Sequence, residues 1–111
     1  PEKIPYAIER YVKETSRLYG VLNKRLKGRD FICGKQYTIA DMAAYPWVIP
    51  ERQGKDMDDF PELKRWHAAI RARPATTRAY ARAKDVNPQP TQIRTEEERK
   101  ILFGQDRSVV K

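Results

Sequence analysis

The sequence predicts an all-α fold. Apolar residues step by three and four across residues 6–26, a capping signal at Thr38 and Asp41 precedes a second apolar run, and no stretch alternates apolar with polar residues as a half-buried strand does. With 111 residues, 40% of them hydrophobic and 34% charged, the chain bounds one domain with a modest core. At that length only roughly two-thirds of the unfolded surface leaves water.

The first element is a long helix over residues 6–27. Ile8, Tyr11, Val12, Leu18, Tyr19, Val21, Leu22 and Leu26 line one of its faces, and Gly28 supplies the stop. Gly20 lies inside this pattern and weakens the helix by about 1 kcal/mol relative to alanine, which implies a close neighbour or a local need there. Residues 29–37 lack the period, carry Gly34 as a turn residue and read as a connector.

The sharpest local signal follows. Thr38 can accept from the N–H near Asp41, and the Asp41 carboxylate can reach back to the Thr38 N–H, a capping box with Asp in place of Glu. Tyr37 and Met42 flank it as a hydrophobic staple. The helix it opens is nearly apolar all round through Ile49, the pattern of a helix enclosed by others, and so predicts the centre of the core. Pro46 predicts a kink or register shift near residues 43–47, and Pro50 a second end or bend.

Residues 51–59 are polar and acidic and read as a loop. Pro61 then starts a helix whose Leu63, Trp66 and Ile70 face inward, and Pro74 ends it while opening a shorter alanine-rich helix through Lys84. Residues 87–90, Asn-Pro-Gln-Pro, form a break. Thr95 and Glu98 make a second capping box, and Ile101, Leu102 and Phe103 before Gly104 predict one or two helical turns, an arm that packs on another surface. The organisation is thus a helical domain over residues 1–86 and a linker with a C-terminal arm over residues 87–111.

Composition excludes several classes of function. One cysteine, Cys33, rules out an internal disulfide framework, and a single Cys with a single His cannot make a four-ligand zinc site; no metal is expected. No run of about 18 apolar residues and no secretory signal occurs, so the expected compartment is the cytoplasm, away from the membrane. The net charge of +8 invites a nucleic-acid reading, but the cations are spread along the chain among Glu9, Glu14, Asp30, Asp41 and Glu51, which argues against it. There is no glycine-rich phosphate loop, nucleophile elbow or zinc helix. Residue 1 is Pro rather than Met, and the chain reads as a piece of something larger.

The order of elements carries a resemblance. The long helix, then Phe31-Ile32-Cys33-Gly34-Lys35-Gln36-Tyr37-Thr38-Ile39-Ala40-Asp41, then Pro61-x-Leu63-x-x-Trp66 and Arg71-x-Arg73-Pro74-Ala75 resemble the C-terminal helical domain of glutathione S-transferases. Residues 4–11, Ile-Pro-Tyr-Ala-Ile-Glu-Arg-Tyr, the run Tyr19 to Leu26, Tyr45-Pro46-Trp47 and residues 73–76 resemble its bacterial nu-class branch, whose members are glutathione-dependent disulfide-bond oxidoreductases. The similarity covers residues 4 to about 85. It implies an orthogonal helical bundle that lacks the thioredoxin-like domain, which carries γ-glutamyl binding and thiol activation, and lacks the helical domain's own first helix.

What the resemblance implies for the site follows the same positions. It assigns no catalytic residue to this chain, which by itself is expected to be silent. Tyr6 and Arg10 match the family's Tyr-x-x-x-Arg pair at the glutathione pocket, which gives Arg10 a glutathione carboxylate and Tyr6 a hydrogen bond or stacking contact. Glutathione is then the co-substrate of the parent protein, with a small-molecule or disulfide substrate beside it and a homodimer as the assembly. Lys13 and Arg17 continue the line of Tyr6 and Arg10 along the helix.

Each candidate has a plainer reading. Arg10 can be a solvated cation pairing with Glu14 at i+4. Thr38 and Asp41 are the structural cap and not catalytic. Trp47 and Tyr45 can edge the substrate site or belong to the core. Cys33, between Ile32 and Gly34, is expected to be buried and inert, and His67 to be a boundary or core histidine. A helical interaction module without glutathione chemistry is the alternative to a transferase fragment, because loss of the first helix would leave apolar surface on the central helix open to a partner.

Overall fold

The computed structural model describes residues 3–86 and 95–104. Seven α-helices occur among them: α1 (Pro5–Leu26), α2 (Ile39–Ala44), α3 (Pro50–Gln53), α4 (Pro61–Arg71), α5 (Pro74–Ala81), α6 (Ala83–Val86) and α7 (Glu96–Phe103), with 3-10 turns at Tyr45–Trp47 and Met57–Asp59. No strand forms among the described residues; one isolated bridge joins Phe31 and Gly34. The fold is all-α, as predicted. Two compact units divide the chain, one ending at Thr77 and the other starting at Arg78.

In the first unit the core is built where α1 meets α4. Tyr19 and Leu26 of α1, Val48, and Leu63, Trp66 and Ile70 of α4 are buried, with Leu22, Phe31, Ile32, Tyr37, Tyr45, Met57 and Phe60 packed around them. The predicted inward stripe of α4 is therefore correct. Polar groups fix the register of the pair. Phe60 provides no side-chain cap for α4. Instead Asn23 Oδ1 on α1 accepts from the N–H groups of Glu62 at 2.9 Å and Leu63 at 3.0 Å. In return Arg65 on α4 donates to the carbonyls of Leu26, Arg29 and Asp30 just at and beyond the end of α1. Each helix thus satisfies the orphan groups at one end of the other.

The α1 boundaries follow the local chemistry. Pro5 occupies the first turn, where a missing N–H costs nothing, and Gly28 takes the left-handed conformation (φ 70°) after the last turn. Gly20, however, has no crowding neighbour: a Cβ built there meets nothing described within 4 Å. The close approach expected at this glycine is absent.

The second apolar run departs from expectation. The capping box at Thr38 and Asp41 forms, but α2 stops after six residues at Ala44 and gives way to a 3-10 turn. Pro46 is the cause, since it has no N–H to continue the ladder and its ring crowds the preceding turn. Pro50 does not end the helix; it sits at the start of α3, and residues 51–59 hold helical turns where a loop was expected. The segment is not the centre of the core. Asp41, Val48 and Pro50 are buried, while Ile39, Met42 and Trp47 are 81%, 53% and 76% exposed. The Tyr37 ring meets Phe31 edge-on at 5.5 Å and carries the Arg73 guanidinium 4.0 Å above it.

Asp41 does more than cap. It is fully buried, and its carboxylate accepts from four donors: Ile32 N–H (2.9 Å) and Trp66 Nε1–H (2.8 Å) on Oδ1, Thr38 N–H (2.9 Å) and the Thr38 hydroxyl (3.2 Å) on Oδ2. Burial alone would raise its pKa, but the hydrogen bonds to the ionised form outweigh burial and hold it below the ordinary carboxylate value.

Cys33 is exposed rather than buried. Phe31 and Gly34 exchange both backbone hydrogen bonds, at 2.8 and 3.0 Å, which closes a tight turn and puts Ile32 and Cys33 at its tip. Gly34 absorbs the positive φ of 134° this requires. Gly34 is the turn residue read from the sequence; the apolar context hid that Cys33 stands exposed at its tip.

In the second unit α7 forms as predicted, with its Thr95–Glu98 capping box closed in both directions at 3.1 Å and Gly104 after its last turn. The alanine-rich helix breaks into α5 and α6. The break expected at residues 87–90 lies outside the described residues.

Replacing Asp41 by Ala leaves one buried and two partly buried N–H donors without their acceptor, and each such loss costs about 1–3 kcal/mol when the donor is shut off from water. Urea denaturation is therefore expected to show a loss of about 3 kcal/mol or more, a large part of a typical domain's stability. Because the folded pKa of Asp41 lies below its unfolded value, its contribution is intact above about pH 4 and disappears as pH falls through the folded value. Asp41→Asn should remove that part of the acid dependence. Gly20→Ala is expected to stabilise the chain by about 0.5–1 kcal/mol, measured the same way. Cys33 should be alkylated by a maleimide in the native chain without denaturant; protection until unfolding would contradict its exposed position.

Candidate functional site

Before the core begins at Tyr19, α1 runs for more than three turns with nearly every side chain exposed. One side of this stretch carries Tyr6, Glu9, Arg10, Lys13, Glu14 and Arg17, which line a groove of about 290 Å³. Helical spacing explains the grouping, because residues three and four apart lie above one another. The structure therefore brings Tyr6 and Arg10 together, with Lys13 and Arg17 beyond them.

Electrostatics within the groove are resolved by pairing. Glu9 pairs with Lys13 at i+4. Glu14 takes Arg17 at i+3 in a two-point contact, Oε1 to the guanidinium terminus at 2.7 Å and Oε2 to Nε at 2.8 Å. The Arg17 hydrogen bonds, then the Arg17 and Arg10 charges, hold the Glu14 carboxyl below its ordinary pKa, and Arg17 is held above its own. The Arg10–Glu14 pair considered from sequence does not form. Arg10 has no ion pair among the described residues, although its charge is felt at Glu14. A guanidinium so placed can take a carboxylate from a ligand.

Trp47 does not line this groove. It projects from the 3-10 turn that Pro46 creates, 76% exposed, with its carbonyl held by Gln53 Nε2–H at 3.0 Å. That rules out the core reading for Trp47, while Tyr45 stays partly buried. The Tyr45 ring stacks on His67 with centroids 4.9 Å apart and meets Trp66 edge-on. His67 is a boundary residue whose pKa is lowered, chiefly by burial. Thr38 and Asp41 lie in the buried cap, and their work there is structural.

Two positions were not singled out by sequence reasoning. Lys55 donates to the Val12 carbonyl at 3.1 Å and to Ser16 Oγ at 2.6 Å, which fixes α1 over the same turns that carry the groove. Gln53 accepts from the Tyr19 hydroxyl and from Ile49 N–H, so it ties the segment bearing Trp47 to α1. Neither residue belongs to a local motif, and no spacing rule links partners about 35 to 43 positions apart. Among the described residues no cluster of three His, Cys, Asp or Glu side chains is placed to hold a metal, and no helix is long and apolar enough to cross a membrane.

Residues 6–74 match the family model for the glutathione S-transferase C-terminal domain. The disulfide-bond oxidoreductase YfcG of Escherichia coli (strain K12) is 52% identical over 84 residues, which cover 75% of this chain and 39% of that protein. YghU, a disulfide-bond oxidoreductase of the same organism, is 38% identical over 86 residues, covering 70% of this chain and 30% of its own length. The chain thus spans well under half the length of these relatives. A glutathione transferase from Burkholderia graminis, crystallised with two glutathione molecules bound per subunit, superposes with a TM-score of 0.57 at 46% identity, over 63% of this chain and 32% of that one. With its all-α fold and its match over residues 6–74, the chain belongs to the glutathione S-transferase family and carries that family's C-terminal domain.

Proposed function

We propose that this chain forms the substrate-pocket wall of a glutathione-dependent transferase or disulfide-bond reductase. The observation that carries the reading is Arg10: a cation without an ion pair, one helical turn from Tyr6, in a groove of a domain whose relatives are disulfide-bond oxidoreductases. In this reading Arg10 pairs with a carboxylate of glutathione through two parallel hydrogen bonds, and Tyr6 donates to or stacks on the same ligand. Trp47, exposed but outside the groove, edges the second substrate. Solved relatives crystallised with two glutathione molecules bound support a disulfide exchange for this chain's parent. In that exchange two glutathione thiols are oxidised to glutathione disulfide, and the substrate disulfide is reduced to two thiols.

The same reading makes the parent a cytoplasmic homodimer in which thiol activation and γ-glutamyl binding come from a thioredoxin-like domain. It makes the isolated chain catalytically inactive. The groove offers Arg10 and Tyr6 for binding and orientation but assigns no group here to generate the thiolate.

Glutathione titrated into the isotope-labelled chain is expected to shift the Arg10 side-chain resonances. Arg10→Ala should weaken that binding about fivefold to tenfold, as expected for one solvent-accessible charge-assisted contact. Arg10→Lys keeps the charge without the fork and should recover only part of the loss. In a glutathione-dependent assay with hydroxyethyl disulfide the 111-residue chain should give no turnover. Glutathione affinity indifferent to Arg10→Ala, or turnover by the chain alone, would overturn the assignment.

A further inference from the structure

We propose that Glu14 sets the anion selectivity of the α1 groove, favouring ligands that present an isolated carboxylate over densely charged ones such as diphosphates. The inference deepens the assignment of Arg10 as the glutathione carboxylate partner and rests on it.

The argument starts from the charges that share the groove. Arg10, Lys13 and Arg17 would by themselves make a triply cationic face, suited to phosphate. Glu9 and Glu14 stand among them and leave a single net positive charge. Their pairing is selective. Glu9 occupies the Lys13 ammonium, and Glu14 occupies the Arg17 guanidinium at two points, 2.7 and 2.8 Å.

The side-on contact takes the Nε–H and one Nη–H of Arg17, so a phosphate must either compete with Glu14 for that pair or use the remaining Nη donors beside the Glu14 charge. Arg17 is therefore already paired with a carboxylate of its own helix, whereas Arg10 has no such pair among the described residues. A ligand carboxylate can use Arg10 without disturbing the Glu14–Arg17 pair. A diphosphate would have to displace Glu14 from Arg17 or bind beside its negative charge.

Sequence position alone would have allowed the opposite arrangement, with Glu14 on Arg10 and Arg17 free. In the structure Glu14 sits between the two, paired with Arg17 and close enough to Arg10 for the Arg10 charge to act on it. It therefore works as a specificity-determining residue without itself contacting the ligand.

Arginine Nε–H correlations of the labelled chain at low ionic strength give the test, with glutathione and inorganic pyrophosphate as separate probes. In the native chain both probes should move Arg10, while Arg17 stays in place. In Glu14→Gln, pyrophosphate should move Arg17 as well, and its affinity should rise about threefold or more relative to that of glutathione, the scale of one exposed charge. The double variant Glu14→Gln with Arg17→Gln should lose that gain, which ties it to the released guanidinium. An unchanged affinity ratio in Glu14→Gln, or an Arg17 response equal to that of Arg10 in the native chain, would overturn the proposal. Failure of glutathione to move Arg10 in any variant would instead defeat the carboxylate assignment beneath it and take the ligand class with it. The two failures are read at different residues.

Discussion

A buried carboxylate with four hydrogen bonds organises the first compact unit. Asp41 gathers donors from the connector turn (Ile32), from the start of its own helix (Thr38) and from the middle of α4 (Trp66). A charge in that position is tolerable only because every segment arrives with a donor. In consequence the turn at residues 31–34, the start of α2 and the rotation of α4 are set together. The large Trp66 side chain is fully buried with its one polar atom satisfied, so packing and hydrogen bonding agree.

Reciprocal capping of α1 and α4 extends the same principle. Asn23 closes the N-terminus of α4, and Arg65 collects carbonyls beyond the end of α1. The contacts advance together along both elements, from Tyr19 with Phe60 to Asn23 with Leu63 and Leu26 with Arg65. A slip of one residue would break both caps. With so few fully buried side chains, such directional contacts supply much of the uniqueness that a larger core would draw from shape alone.

How much of this can be read from sequence depends on how far apart the partners lie. The Thr38–Asp41 box, the α1 stripe, the inward face of α4 and the Tyr6–Arg10 spacing are local and legible. The Asp41–Trp66 bond spans 25 positions and the Asn23 cap about 40, and no periodicity encodes either. The apolar run after Thr38 misleads because composition implies burial, whereas Pro46 turns the backbone and leaves Ile39, Met42 and Trp47 outside. Cys33 misleads for a similar reason: its neighbours are apolar, but at the tip of the turn Ile32 packs inward and Cys33 is exposed. In the groove, spacing identifies which charges can meet. It does not decide between the i+3 and i+4 partners, on which the freedom of Arg10 depends.

One feature of α1 bears on how its groove behaves in time. The stripe that buries Tyr19 and Leu26 continues toward the N-terminus through Leu18, Tyr11, Ile8 and Ile4, where the same face is 50% or more exposed. Those first turns are held by backbone bonds, two intrahelical ion pairs and Lys55, with little apolar burial. Opening of the backbone should therefore become easier step by step toward Pro5, with amide exchange fastest at the end that carries Arg10. A ligand gripping Arg10 and Tyr6 together spans one turn of that weakly supported segment, so occupancy and helix winding are thermodynamically linked.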